Sequence, residues 1–142
     1  MFRFALLVVL STLLGCASAP STSQAEMDAR VRATFPGRVA QAFWVPSSSA
    51  FYDAGRISRL AVDPASANAS LVKLLQSSRD SSITLVVSGV SSNLARHEII
   101  AALSQVKGDI SKLELSFFGD GPDVSEVQRT VEGKGGKYVA AR

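Results

Sequence analysis

Cysteine and histidine are nearly absent from this chain, which has one of each among 142 residues. A zinc site needs three or four ligands from histidine, cysteine and carboxylate side chains, so we predict no metal site, and no cofactor motif is present. One cysteine cannot form a disulfide within the chain. The 15 Lys and Arg against 12 Asp and Glu are scattered without a basic run, so no nucleic-acid partner is predicted.

The only cysteine, Cys16, follows a short apolar segment at residues 4–14, which is preceded by Arg3. This segment is too short to span a bilayer comfortably, and its layout predicts a secretory signal peptide. Leu13-Leu14-Gly15-Cys16 resembles the lipobox of bacterial lipoproteins. The resemblance implies cleavage between Gly15 and Cys16 and a diacylglycerol on the cysteine thiol. An ordinary signal peptide cleaved after Ala19, which leaves a free soluble protein, is the alternative.

The lipobox resemblance also implies a location. Lipoprotein sorting in many Gram-negative bacteria retains proteins with Asp after the lipidated cysteine at the inner membrane, and here that residue is Ala17. We therefore expect the periplasmic face of the outer membrane. The domain prediction is a removed signal peptide at 1–15, a lipidated cysteine and flexible tether at 16–24, and one periplasmic α/β domain at 25–142.

Strand and helix patterns alternate in the second half of the chain. They predict strands at 82–89, 112–119 and 137–141, with helices at 93–106 and 123–132 between them. The first half is read as a helix at 24–35, strands at 41–45 and 57–62, and a helix at 63–78. We expect an α/β (α+β) sandwich, with helices packed on a mixed four- to five-stranded sheet in βαβαβ order.

Few residues in the chain predict catalysis. His97 lies on a predicted helix, and no G-x-S-x-G motif accompanies it, so a surface position is favoured over a catalytic one. "GDGPD", which contains Asp120 and Asp123, could hold phosphate or calcium, but a turn followed by a helix cap is favoured. Four aromatic residues near a Pro-Ser-Ser-Ser loop are assigned to core and edge packing: Phe43, Trp44, Phe51 and Tyr52.

The order of elements from Phe51 onward resembles the OmpA C-terminal, peptidoglycan-binding fold of outer-membrane proteins and lipoproteins. In that family, the Asp of a His-Thr-Asp motif and an Arg bind the charged end of diaminopimelate. Here Val90-Ser91-Ser92 stands where the family has His-Thr-Asp, and Arg96 could supply the arginine. The residues predicted to contact a ligand are Gly89, Ser91, Ser92, Arg96, Asp120 and Asp123.

Two hypotheses of function follow from the sequence. The first is a non-enzymatic outer-membrane lipoprotein that binds peptidoglycan or an envelope protein in a structural or assembly role. The second is a small membrane-tethered hydrolase that uses His97 with a nearby serine or acidic residue. Ligands of open α/β sheets usually bind at the carboxyl ends of the strands, here around residues 89–92 and 119–123, so a pocket there would mark the binding site.

Overall fold

The computed structural model describes residues 22–142, so the predicted signal peptide with Gly15 and the predicted lipidation site Cys16 lie outside the described residues. Five α-helices, a short 3-10 helix (Pro64–Ser66) and four strands form the secondary structure of the described residues. The α-helices and strands are α1 (Thr22–Thr34), β1 (Gln41–Val45), α2 (Ala50–Val62), α3 (Ala69–Ser77), β2 (Ile83–Gly89), α4 (Ser92–Gln105), β3 (Leu113–Phe118), α5 (Gly121–Gly133) and β4 (Lys137–Tyr138). Helix α1 begins at Thr22, inside the segment 16–24 that was predicted to be a tether.

The strands form one four-stranded sheet in the order β1-β2-β3-β4, and every pair of neighbours is parallel. The predicted α/β class is confirmed, but the predicted mixed strand direction is wrong. Each connection between neighbouring strands contains at least one helix, and a helix packed on the sheet returns the chain to the edge where the previous strand began. The order βαβαβ describes only β2 to β4, since two helices separate β1 from β2.

The segment predicted as a strand at 57–62 is the second half of α2. The Oγ of Ser49 accepts a hydrogen bond from the Tyr52 N–H at 3.1 Å and so caps the helix. Leu60 is buried and Ile57 is partly buried, three residues apart on one face of the helix, while Val62 is exposed. The apolar residues therefore have helical spacing, and the strand assignment is wrong.

The two faces of the sheet are covered differently. When parallel strands follow chain order and their crossovers share the usual right hand, all connecting helices lie on one face. We call this the crossover face, and its core joins helices α2 to α5 to strand residues that include Leu85, Val87, Leu115 and Phe117. The opposite face, the α1 face, is formed by Trp44, Val86 and Phe118. It packs against Met27, Val31 and Phe35 from α1 and the turn that follows it.

Parallel strands also give the sheet two distinct edges, which we call the amino edge and the carboxyl edge after the strand ends that they collect. Helix α1 starts near the carboxyl edge, because Met27 lies beside Gly89 and Gly119. The chain then reaches the amino edge, where Arg38 bonds to Glu114. No helix within residues 22–142 is long and apolar enough to cross a membrane.

Candidate functional site

A cavity of about 280 Å³ opens at the carboxyl edge, between the start of α1 and the ends of β1, β2 and β3. We call it the carboxyl-edge pocket. Three residues predicted to contact a ligand, Gly89, Ser92 and Asp120, line it. The other lining residues are Glu26, Met27, Arg30, Trp44, Ser88, Val90, Phe118 and Gly119.

Two glycines leave space for close packing beside the pocket. A Cβ at Gly89 would lie 2.8 Å from the Val45 carbonyl oxygen on the neighbouring strand. A Cβ at Gly119 would lie 2.4 Å from the Phe117 ring and 2.5 Å from the Ser92 Oγ. All three distances are too short for non-bonded atoms, so these positions need glycine because neighbouring groups approach them closely.

The pocket carries charges of both signs. The Arg30 guanidinium lies 4.6 Å from the centre of the Phe118 ring, a cation–π contact that places a positive charge at the pocket wall. The carboxylates of Glu26 and Asp120 also line the pocket. With the Trp44 ring among the lining residues, the pocket suits a small polar ligand that has both a cationic and an anionic group.

The "GDGPD" turn is tied to the start of α4 through Ser92. The Ser92 Oγ donates to Asp123 Oδ2 at 2.6 Å and accepts from the Asp120 N–H at 2.8 Å. Asp120 is the N-cap of α5, but its side chain makes no capping hydrogen bond. Ser91 caps α4, since its Oγ accepts from the Leu94 N–H at 3.2 Å. Ser91 and Asp123 therefore act within the fold, and neither lines the pocket.

Arg96 is directed at α5 rather than at the pocket. Its Nε lies 2.9 Å from Asp123 Oδ1, an ion pair in which the N–H is not aligned for a hydrogen bond. Its Nη1 pairs with Glu126, and its Nη2 donates to Asn93 Oδ1 at 2.7 Å. The arginine that the family resemblance offered as a ligand-binding residue thus already contacts two carboxylates of its own chain.

The surroundings of His97 do not provide a catalytic pair. Its Nδ1 lies 2.8 Å from the Asn93 carbonyl oxygen, so Nδ1 carries the proton and donates it to that oxygen. The Arg96 Nη2 lies 3.3 Å and 3.4 Å from the two ring nitrogens. In the part of the chain that the structure describes, no serine or carboxylate hydrogen-bonds to His97. The arrangement that the hydrolase hypothesis requires is therefore not formed by these residues.

The aromatic residues assigned to core and edge packing divide into two groups. Phe43 and Trp44 are partly buried against the two faces of the sheet. Phe51 is 90% exposed, and Tyr52 is about half exposed, so packing was the wrong assignment for Phe51. Phe51 lies in the first turn of α2, whose only fully buried residue is Leu60.

Sequence reasoning missed the α1 side of the pocket. Met27, Val31 and Phe35 recur every four residues, a helical spacing, and Val86 and Phe118 show that the second sheet face is also apolar. Together these patterns indicate a helix across that face, and Glu26 and Arg30 flank its buried stripe. A helix on that face would bring both side chains toward the strand ends.

Sequence reasoning also missed a buried ion pair between α2 and α4. The Arg56 guanidinium lies 2.6 Å from Glu98 Oε1, and the second oxygen of this carboxylate accepts from the Asn68 N–H at 3.1 Å. The same arginine donates to the Ser66 carbonyl oxygen at 2.7 Å. Both carboxylate oxygens of Glu98 therefore have a partner, and the ion pair connects two helices of the crossover face.

Within residues 22–142 no group of three His, Cys, Asp or Glu side chains is placed to hold a metal ion.

No protein-family model, no curated protein and no solved structure matches this chain.

Proposed function

We propose that this chain is a lipid-anchored lipoprotein of the periplasmic face of the outer membrane, where its α/β domain binds an envelope component without catalysing a reaction. The lipobox sequence ending at Cys16 supports the anchor, and Ala17 after it supports the outer membrane. Both residues lie outside the described part of the chain. The proposed ligand is peptidoglycan, with an envelope protein as the alternative partner.

The position of α1 relates the anchor to the pocket. An extended chain spans at most about 3.6 Å per residue, so Cys16 and Thr22 can be separated by no more than about 22 Å. Helix α1 begins at Thr22, and its residues Glu26 and Arg30 line the carboxyl-edge pocket. A lipid on Cys16 would therefore keep this pocket close to the membrane surface.

The main support for peptidoglycan as the ligand is that the carboxyl-edge pocket contains both positive and negative side chains. Arg30 can pair with a carboxylate, and Glu26 and Asp120 can pair with an amine. The peptide part of peptidoglycan carries both groups. Binding through Arg96 would instead require the ligand to displace Asp123 and Glu126, which leaves two carboxylates without their cation. We therefore assign ligand binding to Arg30 rather than Arg96.

Lipidation is tested by metabolic labelling with a palmitate analogue and by membrane fractionation. We expect the wild-type chain to be labelled and to fractionate with the outer membrane, and Cys16→Ser to lose both properties. Ala17→Asp is the matched control: it should keep the label and move to the inner membrane. Unlabelled wild-type protein in the soluble periplasmic fraction would reject the anchor.

Ligand binding is tested by cosedimentation of the detergent-solubilised full chain with purified peptidoglycan sacculi. Arg30→Ala should lower the bound fraction at least tenfold, whereas Arg129→Ala, which removes an exposed arginine on α5, should not. Loss of binding with Arg96→Ala but not with Arg30→Ala would support the family-like mode and reject the assignment to the pocket. If the wild-type chain does not cosediment, peptidoglycan is not the ligand.

A further inference from the structure

Cations collect at the amino edge of the sheet, opposite the carboxyl-edge pocket. A basic residue precedes or opens each strand: Arg38 before β1, Arg79 before β2, Lys112 directly before β3, and Lys137 as the first residue of β4. In a mixed sheet these residues would be divided between two edges. Because all four strands are parallel, they share one edge.

Three of these cations surround a cavity of about 230 Å³, which we call the amino-edge cleft. Arg38, Lys112 and Lys137 line it, and Glu114 is the only carboxylate among its lining residues. The side chains around the cleft therefore carry a net charge of two positive units. The hydroxyl groups of Ser82, Thr84 and Ser111 also line the cleft.

Glu114 holds two of the cations in position. The Arg38 Nη2 donates to Glu114 Oε2 at 2.6 Å and lies 3.1 Å from the Thr84 Oγ1, and the Lys137 Nζ donates to Glu114 Oε1 at 3.1 Å. Lys112 is fixed separately, because its Nζ donates to the Asp80 carbonyl oxygen at 2.8 Å. Both carboxylate oxygens of Glu114 are thus engaged, and the cations are held beside one another.

The cations still have donors for a ligand. Within residues 22–142, the Nε and Nη1 groups of Arg38 make no hydrogen bond, and each lysine ammonium donates only one of its three protons. The side-chain hydroxyls of Ser82 and Ser111 likewise have no hydrogen-bond partner in this part of the chain. The cleft therefore offers several N–H and O–H donors and an excess of positive charge.

We propose that the amino-edge cleft binds a phosphate group. A phosphate monoester carries about −1.5 to −2 charges at pH 7 and has oxygens that accept several hydrogen bonds, which matches both the charge and the donors of the cleft. The free Nη1 group of Arg38 can donate to a phosphate oxygen, because its Nη2 is already bonded to Glu114 and Thr84, and the two lysines act as point charges beside it. The proposal does not depend on the lipid anchor, since it is carried by residues of the folded domain alone.

The test is a titration of the full-length protein in neutral detergent with inorganic phosphate, followed by two-dimensional NMR or calorimetry at constant ionic strength. We expect saturable binding, with the largest chemical-shift changes at Ser82, Ser111 and the residues beside them. Lys112→Gln combined with Lys137→Gln should weaken binding at least tenfold. Lys73→Gln combined with Arg129→Gln removes two exposed cations elsewhere and should leave the affinity within about twofold of the wild type.

The outcomes separate a built site from a general charge effect. The proposal is wrong if the two double variants weaken phosphate binding by the same factor relative to the wild type. It is also wrong if the wild-type titration does not saturate. Circular dichroism of both variants checks that they remain folded, which is expected because all four substituted residues are exposed. A parallel titration with glycerol 3-phosphate identifies the source: tighter binding than inorganic phosphate indicates a phosphorylated molecule, and weaker binding indicates the free ion.

Discussion

Gly119 has no room for a side chain, because a Cβ at this position would lie 2.4 Å from the Phe117 ring and 2.5 Å from the Ser92 Oγ. Ser92 holds the turn through Asp120 and Asp123, so its hydroxyl cannot move away without breaking these bonds. We expect Gly119→Ala to lower the free energy of unfolding by about 1–3 kcal/mol, the usual cost of overpacking. Urea denaturation followed by circular dichroism measures this difference.

Gly55→Ala is the matched control for that substitution. Gly55 lies in the exposed middle of α2, and a Cβ there would meet no atom within 4 Å. Alanine in a helix interior is more stable than glycine by about 0.5–1 kcal/mol, so this variant should be slightly more stable than the wild type. Equal destabilisation by both substitutions would contradict the steric explanation for Gly119.

Glu114 gives the unfolding free energy a dependence on acid pH. The hydrogen bond from Arg38 holds the pKa of this carboxyl below its ordinary value of 4.5, against the opposing effect of burial, and Lys137 acts in the same direction as Arg38. A carboxyl with a lowered pKa in the folded state stabilises the fold above its unfolded pKa, and this contribution is lost as the pH falls through the folded pKa.

Urea denaturation of the wild type and Glu114→Gln over a pH series measures this contribution. The wild type should be the more stable protein above pH 4.5, and the difference should shrink as the pH falls below that value. Because Arg38 is half exposed, we expect the difference to be about 1 kcal/mol or less. A difference that stays constant across the series would show that the ion pair does not cause it.

Single residues of the site differ in how well the sequence predicts them. Gly89, Ser92 and Asp120 were predicted to contact a ligand because they lie at or just after the ends of strands. The ends of strands can be predicted from the pattern of apolar runs. Arg96 was assigned to the ligand because of the family resemblance. Its partners on α5 depend on how two helices pack against each other, and no spacing in the sequence specifies that contact.

At the scale of whole elements, α2 shows why a short apolar pattern misleads. Ile57, Leu60 and Val62 could lie on a strand or a helix, since six residues are too few to separate the two periods. The helix is decided by tertiary contacts outside the segment. Arg56 pairs with the buried Glu98 on α4, and Leu60 packs into the core of the crossover face. Strand β2 could be predicted without such contacts, because its sequence ITLVVSG is a run of apolar and β-branched residues that ends in two small ones.

Helix α1 is the least enclosed helix of the described chain, because no other helix covers the α1 face. Its contacts with the sheet come mainly from Met27 and Val31, and most of its other described side chains are exposed. Helix α4 by contrast is buried along most of its length. We expect hydrogen–deuterium exchange to be faster at residues 25–34 than in α4, because α1 can detach while the crossover face stays packed.

Met27→Ala tests this local opening. The variant removes a buried side chain from the α1 face, so exchange at residues 25–34 should rise further while exchange in α4 changes little. Fluorescence of the single tryptophan, Trp44, should shift in parallel, because its ring packs on the same face. If α1 and α4 exchange at the same rate in both proteins, α1 opens only with global unfolding.

At the scale of the whole molecule, the parallel sheet decides where each surface lies. The mixed sheet was predicted from the short length of the chain. Length did not decide strand direction here, because single helices of 13 or 14 residues suffice to join β2 to β3 and β3 to β4 in parallel. The consequence is a molecule with the carboxyl-edge pocket and the start of α1 at one end, and the amino-edge cleft at the other.

This arrangement predicts the orientation of the proposed lipoprotein on a membrane. Val90 lies at the carboxyl edge and Val39 at the amino edge, and they are 66% and 93% exposed. The edges are separated by about 20 Å, the length of a seven-residue strand. If Cys16 is lipidated, a cysteine introduced at either position is the only free thiol and can be labelled selectively with a fluorophore.

Energy transfer from the label to an acceptor on lipid headgroups measures the distance of each edge from the bilayer. We expect higher transfer efficiency for Val90→Cys than for Val39→Cys, because the chain between Cys16 and Thr22 keeps the start of α1, which lies near the carboxyl edge, within about 22 Å of the lipid. In both variants the labelled cysteine replaces an exposed valine, so each variant serves as the labelling control for the other. Equal efficiencies would mean that the domain tumbles freely on its tether, and the amino-edge cleft would then not be directed away from the membrane.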